Sequence, residues 1–313
     1  MHASLSRLIV TGVTIGLTAT VGIPAAQASP PPGNISIDAL ANSRSLDDIE
    51  RYWTPERMAE AVDLDIETGE RPAGGPRRPD GVSGSVEPVA ARNGIRSVDQ
   101  SQAVGKVYMT TPSGPAACSA SAVNSPTGRL VITAGHCVHG GAGQDWYTDF
   151  IFVPALRQGD EPYGRFVAST LTTRSAWAER SDLDQDIAIA VMSDGASGDT
   201  VVDTVGGMGL RWNWGYQVDV TILGYPAADG FPGDVQYYCQ SGTWQAEGEQ
   251  VRAWCDMTGG SSGGPWLQEY DDDSGLGYVN SVVSHGHGHP GQFDGPYFDG
   301  DVADLYTYAE SLA

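Results

Sequence analysis

Beyond residue 103 the chain proceeds in short apolar runs. Val104-Gly105-Lys106-Val107-Tyr108-Met109-Thr110 alternates, and Ser119 to Val123 and Leu130 to Thr133 follow on either side of Asn124-Ser125-Pro126-Thr127-Gly128. Phe150 to Pro154, Phe166 to Ala168, Ile187 to Met192 and Val218 to Leu223 continue the series, with turn residues between them. Alternation is what a strand buried on one face requires, because successive side chains leave opposite faces. No long amphipathic pattern interrupts, so regular short strands predict an all-β sandwich or barrels. The ends read differently. Ala303 to Ala313 predicts a short C-terminal helix, and Leu46 to Asp65 places Trp53, Met58 and Val62 near helical spacing. Gly69 to Gly84, rich in Gly, Pro and Arg, reads as a linker.

The first 28 residues have the texture of a signal peptide. Arg7 supplies the positive start, Leu8 to Ile23 the apolar stretch, and Ala26-Gln27-Ala28 a small-residue cleavage site before Ser29. That apolar run, about 16 residues interrupted by Gly and Thr and ended by Pro24, is short for a membrane span. Export followed by removal is the expectation.

Composition narrows the function. The 313 residues are 40% hydrophobic and 18% charged, which suits a folded chain with a sizeable core. A net charge of −22 excludes nucleic acid and anionic membrane surfaces as natural partners, since both demand a basic face. Acidity of this kind keeps an exported protein soluble. Four cysteines without a Cys-x-x-Cys pair argue against a zinc ribbon or a thioredoxin-like site.

The candidate chemistry lies in Gly260-Ser261-Ser262-Gly263-Gly264-Pro265. Glycines on both sides of Ser262 let the backbone turn sharply and let a substrate carbonyl approach without meeting a Cβ. The N–H groups of Gly260 and Ser262 can then converge on a developing oxyanion. Alone, such a stretch is equally a flexible Gly/Ser loop. Upstream, however, Leu130-Val131-Ile132 delivers Thr133-Ala134-Gly135-His136-Cys137, and Asp186 opens the apolar run Ile187-Ala188-Ile189-Ala190-Val191. A nucleophilic serine needs a general base, and that base needs an acceptor to fix its tautomer. Asp182 and Asp184 are neighbours of Asp186, but the apolar run begins directly after Asp186.

With these motifs the sequence resembles the chymotrypsin-type serine peptidases, and more closely their bacterial secreted trypsin-like and glutamyl-endopeptidase-like branch, over roughly residues 104 to 310. The resemblance implies two six-stranded β-barrels with the active site in the cleft between them. His136 is then the base, Asp186 the orienting carboxylate and Ser262 the nucleophile. It also implies a Cys118–Cys137 disulfide clamping the loop that holds His136. Cys239 and Cys255 are then expected to pair and pin the segment before the nucleophile loop, which requires an oxidising compartment.

Val282-Val283-Ser284-His285-Gly286 resembles the strand that binds the substrate backbone: Ser284 would support Asp186 and Gly286 would meet the peptide main chain. The family's aromatic residue is replaced by His285. Asp256 stands where the trypsin resemblance puts the base of the specificity pocket, implying Lys or Arg before the scissile bond. The trypsin-like cysteine between that aspartate and the serine is missing, and Cys255 precedes Asp256 instead. In the glutamyl-endopeptidase-like reading, His285 or His287 would meet an acidic residue; in a third, Asp256 is buried and structural. His285, His287 and His289 alternate, but glycines and Pro290 favour a soft loop over a zinc site. Asp271-Asp272-Asp273 and Asp294, Asp299 and Asp301 lack calcium-loop spacing and read as solvated turns.

The expectation is a secreted serine endopeptidase acting on protein or peptide substrates without cofactor or metal, monomeric, and free of membrane once the signal is cut. Its parts are a signal peptide at 1–28, a propeptide or N-terminal extension with linker at 29–96, and a trypsin-like peptidase domain at 97–313. Arg77, Arg78 and Arg96 are candidate maturation points. Two rivals stand: a catalytically silent binding module of the same fold, disfavoured by the complete trio, and an esterase-type acyl hydrolase. An α/β-hydrolase is disfavoured by the order His, Asp, Ser.

Overall fold

The computed structural model describes residues 33–40, 44–66, 81–92, 101–286 and 291–313. The signal peptide, most of the linker, Arg77, Arg78, Arg96, His287 and His289 lie outside the described residues. The N-terminal extension contributes β1 (Asn34–Asp38), α1 (Leu46–Tyr52), α2 (Pro55–Ala59), β2 (Val62–Asp63) and β3 (Gly84–Val86). The first half of the remaining chain forms β4 (Val104–Thr111), β5 (Gly114–Val123), β6 (Leu130–Thr133), β7 (Thr148–Pro154), β8 (Phe166–Arg174) and β9 (Ala188–Met192), with α3 (Ser175–Arg180) between the last two. After α4 (Val201–Val205), the second half runs β10 (Gly209–Trp212), β11 (Asp219–Gly224), β12 (Tyr237–Gln245), β13 (Gln250–Trp254), β14 (Pro265–Asp271), β15 (Leu276–Val282), β16 (His285–Gly286) and β17 (Gln292–Pro296). Helix α5 (Gly300–Glu310) closes the chain.

The expected all-β, two-barrel architecture is present. In the first half the order β8-β7-β4-β5-β6-β9 closes on itself because β8 also pairs with β9. β6 and β9 are buried at every residue, so their runs from Leu130 to Ile132 and from Ala188 to Met192 stay apolar rather than alternating. The second half is one continuous path, β16-β17-β13-β12-β11-β14-β15-β10, extended by β3. Among the described residues no helix is long and apolar enough to cross a membrane.

Two boundaries depart from the sequence reading, each for a local reason. The single helical stretch expected over Leu46 to Asp65 is broken at Thr54-Pro55. Thr54 caps α2 by accepting from the Arg57 N–H, and Pro55 occupies the first turn, where it has no N–H to lose. The C-terminal helix begins at Gly300 rather than Ala303, because the Asp299 side chain accepts from the Asp301 N–H at 2.7 Å.

The extension is built into the body of the protein. β1 adds antiparallel to β8, and Ile49 and Trp53, each 1% exposed, join the main apolar core. The Trp53 indole donates to the Asp149 carbonyl at 2.6 Å, and Arg165 donates to the Glu50 and Trp53 carbonyls. β2 pairs parallel with β5 in the first sheet, and β3 pairs antiparallel with β10 in the second.

Candidate active site

His136 sits in a single 3-10 turn, Gly135–Cys137, at the end of β6, and Asp186 follows another such turn just before β9. Antiparallel pairing of these strands, Thr133 opposite Ala188, brings the two ends together. The His136 Nδ1 lies 2.8 Å from Asp186 Oδ2, and the His136 backbone N–H donates to Oδ1 at 2.7 Å. Ser284, from the second half, donates its hydroxyl to Oδ2 at 2.6 Å. Asp186 is fully buried. That burial pushes its carboxyl up, but the His136 ring, the Ser284 hydroxyl and the His136 N–H outweigh it and hold the group below its ordinary value. With Nδ1 held by a carboxylate, Nε2 is the ring atom left for proton transfer. It is buried and has no hydrogen-bond partner among the described residues. Trp177 stands edge-on to the ring at 6.2 Å between centroids and donates its indole N–H to the His139 carbonyl.

The nucleophile loop is fixed from both halves. The Ser119 N–H donates to the Ser262 carbonyl at 2.7 Å, and the Ser119 hydroxyl donates to the Gly260 carbonyl at 2.8 Å. On the other side Gly263 donates to the Val283 carbonyl and Val283 to that of Gly264. Gly263 has φ of +78°, and a Cβ there would lie 2.1 Å from Thr133 Oγ1 and 2.4 Å from the Ser119 carbonyl, so no other residue fits. Gly260 has φ of +93°. The N–H groups of Gly260 and Ser262 donate to no backbone carbonyl among the described residues, which leaves them available to an oxyanion.

Two disulfides brace this arrangement. Cys118–Cys137 ties β5 to the His136 turn, and Cys239–Cys255 ties β12 to the segment leading into the nucleophile loop. Cys118, His136 and Cys137 form the one metal-like cluster among the described residues, but both thiols are consumed in the disulfide.

The specificity residues fare differently. His285 does not face substrate. It is 1% exposed, its Nδ1 lies 3.1 Å from Ser284 Oγ and its Nε2 3.6 Å from Asp294 Oδ2. The correction has a physical cause across the sheet: β16 pairs with β17 so that His285 stands opposite Asp294, a buried carboxylate gripped by Arg252 Nε at 2.5 Å and Nη2 at 2.7 Å. Asp294, Arg252 and Trp177 carry no local motif in the sequence, and Ser119 would have been visible only as the residue after Cys118. Asp256 is exposed between buried Cys255 and Met257, which overturns the buried structural reading. Gly286 is half-buried and pairs with Phe293. The acidic groups read as solvated turns divide: Asp271 accepts from Asp273 and Ser274 within its own turn, whereas Asp301 pairs with Arg174 at 3.0 Å and Asp294 is buried.

The chain is similar to the thermostable serine protease AL20 from an extremophilic microorganism, with 34% identity and a TM-score of 0.63 over 68% of this chain and 99% of that one. Protease Anisep from Arthrobacter nicotinovorans matches with the same identity and TM-score over 68% of this chain and 98% of its own. A Glu endopeptidase solved with MPD shares the fold at 16% identity and a TM-score of 0.55, over 72% of this chain and 97% of that one. No protein-family model matches, and no curated protein does.

Proposed function

The chain belongs to the chymotrypsin-like serine proteases, and from that premise we propose that it is a secreted endopeptidase working through Ser262, His136 and Asp186. The observation that carries the reading is the buried Asp186 carboxylate, which holds His136 through both its ring and its backbone. His136 Nε2 takes the proton of the Ser262 hydroxyl as the oxygen attacks the peptide carbonyl carbon. The carbonyl oxygen becomes an anion and is met by the Gly260 and Ser262 N–H groups. Asp186 stabilises the imidazolium, which then protonates the departing amine. Water, deprotonated by the same nitrogen, releases the acyl group and restores Ser262.

For the residue before the scissile bond we take Lys or Arg. With His285 withdrawn against Asp294, the support is Asp256, an exposed carboxylate in the segment leading into the nucleophile loop. Residues 1–28 are read as removed on export, and 29–96 as a propeptide that folds onto the catalytic body. A cut at Arg77, Arg78 or Arg96 would sever the chain yet leave β1, Trp53 and β2 docked, so maturation has a release step as well as a cleavage step.

The test is to incubate the secreted protein and its Ser262→Ala form with a diverse peptide mixture, sequencing the cut sites and the protein's own N terminus. Cuts after Lys or Arg that vanish in the variant support the reading, and cuts after Glu or Asp refute the basic preference. The endopeptidase assignment fails if no Ser262-dependent cut appears and a serine-directed phosphonate does not label the protein.

A further inference from the structure

Lys106 is the only lysine in the 313 residues, and it is buried. A buried ammonium is strongly unfavourable unless it is paired. Its Nζ lies 2.8 Å from Asp63 Oδ1 and donates to the Gly233 carbonyl at 2.7 Å. Asp63 belongs to β2, so the one lysine of the catalytic body is neutralised by the N-terminal extension.

The position of that pair within the cleft gives it a role. β2 lies parallel to β5 with Val62 opposite Ala116 and Asp63 opposite Ala117, and the Leu64 N–H donates to the Ala117 carbonyl at 2.9 Å. After Ala117, β5 runs through Cys118 to Ser119, the residue that holds the carbonyls of both Ser262 and Gly260. A Cβ on Gly260 would lie 2.8 Å from Asp63 Oδ1 and 2.5 Å from the Tyr225 carbonyl, and a Cβ on Gly259 would lie 3.3 Å from Asp65 Oδ2. β2 therefore sits against the oxyanion glycine. The nucleophile loop is bracketed by β5 on one side and by Val283 on the other. A peptide lying along Ser284 to Gly286 with its carbonyl at Ser262 must carry its leaving half across the free edge of β5. That edge is where β2 lies.

Resting on the endopeptidase reading above, we infer that Lys106 is the floor of a carboxylate-binding subsite for the leaving-group half of the substrate, with Asp63 as its built-in occupant. Once β2 is displaced, the ammonium selects peptides carrying Asp or Glu within the first few positions after the scissile bond.

The occupant is suited to displacement. β2 is two residues long and Val62 is 67% exposed, so the strand itself buries little apolar surface and its apolar hold comes from the flanking Ala61 and Leu64, both only partly buried. Burial pushes the Asp63 carboxyl above its ordinary value, and the Lys106 ammonium beside it only partly offsets this. A substrate strand brings further backbone contacts of its own. The turn that supplies the Gly233 carbonyl is fixed independently, Gly233 donating to Pro226 and Ala227 to Gly259, so the seat outlasts its occupant.

Because Lys106 is the sole ε-amine, acylation at that site reports the seat directly. Full-length protein, Asp63→Ala and Lys106→Met would be treated with an N-hydroxysuccinimide acetate, and acetylation of Lys106 followed by mass spectrometry. The same proteins would cut peptide pairs differing only by Asp or Asn at each of the first four leaving-group positions. Expected are slow acetylation in the full-length chain, faster acetylation in Asp63→Ala, and protection of that variant by the Asp peptide but not by its Asn twin. In kcat/KM, Asp63→Ala should favour Asp over Asn by about 10-fold at one position, the range for a hydrogen bond to a charged group, and Lys106→Met should not.

An Asp-to-Asn ratio near one in Asp63→Ala at every position, or a ratio that survives Lys106→Met, overturns the inference. If Lys106→Met does not fold, the two readouts on Asp63→Ala decide alone. If the form freed of its extension also cuts nothing, the endopeptidase reading fails, and protection from acetylation still tests the subsite by itself.

Discussion

Replacing Ser284 by Ala should lower stability in a manner that depends on pH. The Ser284 hydroxyl is fully buried and is one of the donors that keep Asp186 ionised, together with the His136 ring and the His136 N–H. A hydrogen bond to a charged group contributes about 1.5–3 kcal/mol net, and alanine offers nothing in its place. That loss raises the Asp186 carboxyl. The direction is reinforced because burial, the largest single influence on the group, already pushes it up. The parent Asp186 has a folded value below its unfolded one, so its contribution is present above the unfolded value near 3.8 and is lost as pH falls through the folded value. In Ser284→Ala the loss moves to higher pH. The stability difference between the two proteins should therefore be about 1.5–3 kcal/mol at neutral pH, or roughly 3–10 °C in Tm, and should shrink as pH falls through the folded value of Asp186. Urea titrations from pH 2 to 8, in a Ser262→Ala background to prevent self-cutting, measure it. A deficit that stays constant across that range would mean Ser284 acts by packing alone, and the account of Asp186 would be wrong. In the active background, kcat should fall by about 10-fold for each 1.4 kcal/mol of orientation lost.

Three other outcomes follow from the same structure. Ser262→Ala and His136→Ala should each reduce turnover by about 10⁴-fold or more; Ser262→Ala should leave circular dichroism and Tm unchanged, whereas His136→Ala should lower Tm, because it takes the ring away from the buried Asp186 carboxylate. Asp299 is raised to about 6 by burial and by Asp301, so its contribution to stability is present below the unfolded value near 3.8 and is lost as pH rises through about 6; Asp299→Asn, which keeps the cap acceptor, should be more stable at pH 7 by about 1–2 kcal/mol and gain nothing at pH 3. Trp53→Ala should destabilise the full-length chain by about 3–5 kcal/mol in urea titration, because the indole is buried in the main core and bonded to Asp149; a change under 1 kcal/mol would mean the extension is not part of the folding unit.

The parts of the site that could be read from sequence are those whose chemistry restricts residue type within a few positions. Ser262 needs its glycines, His136 follows an apolar strand and Asp186 precedes one, and each signal is local. Ser284 was legible through its resemblance to a substrate-binding strand. His285 was misassigned because alternation reports which face a side chain takes, but not what lies across the sheet; Asp294 and Arg252, which claim it, are separated by 42 positions. The same limit hid the Lys106–Asp63 pair, whose members belong to stretches read as separate parts of the protein. Of the strands easily missed, β12 is largely polar or half-exposed, so no apolar alternation marks it, and β13 is short, its alternation resting on Val251 and Ala253 between Gln250 and Arg252.

The seam between the halves explains why the extension is placed as it is. His136 and Asp186 come from the first barrel, Ser262 and Ser284 from the second half, and the Ser284–Asp186 bond spans 98 positions. If the halves part, Asp186 loses a donor, the proposed base His136 is separated from Ser262, and the Gly260 carbonyl loses Ser119. Neither half retains a working fragment of the chemistry, so whatever holds the seam sets the amount of active enzyme. The extension reaches both sides of it: β1 and β2 add to the first sheet and β3 to the second. It thus braces the assembly from which the proposed triad is built while β2 lies on the edge proposed for the substrate. A segment that favours formation of the site and covers it at the same time need only loosen at its weakest point, the two-residue strand with a desolvated carboxylate, for the finished site to be exposed without disturbing the core that Trp53 anchors.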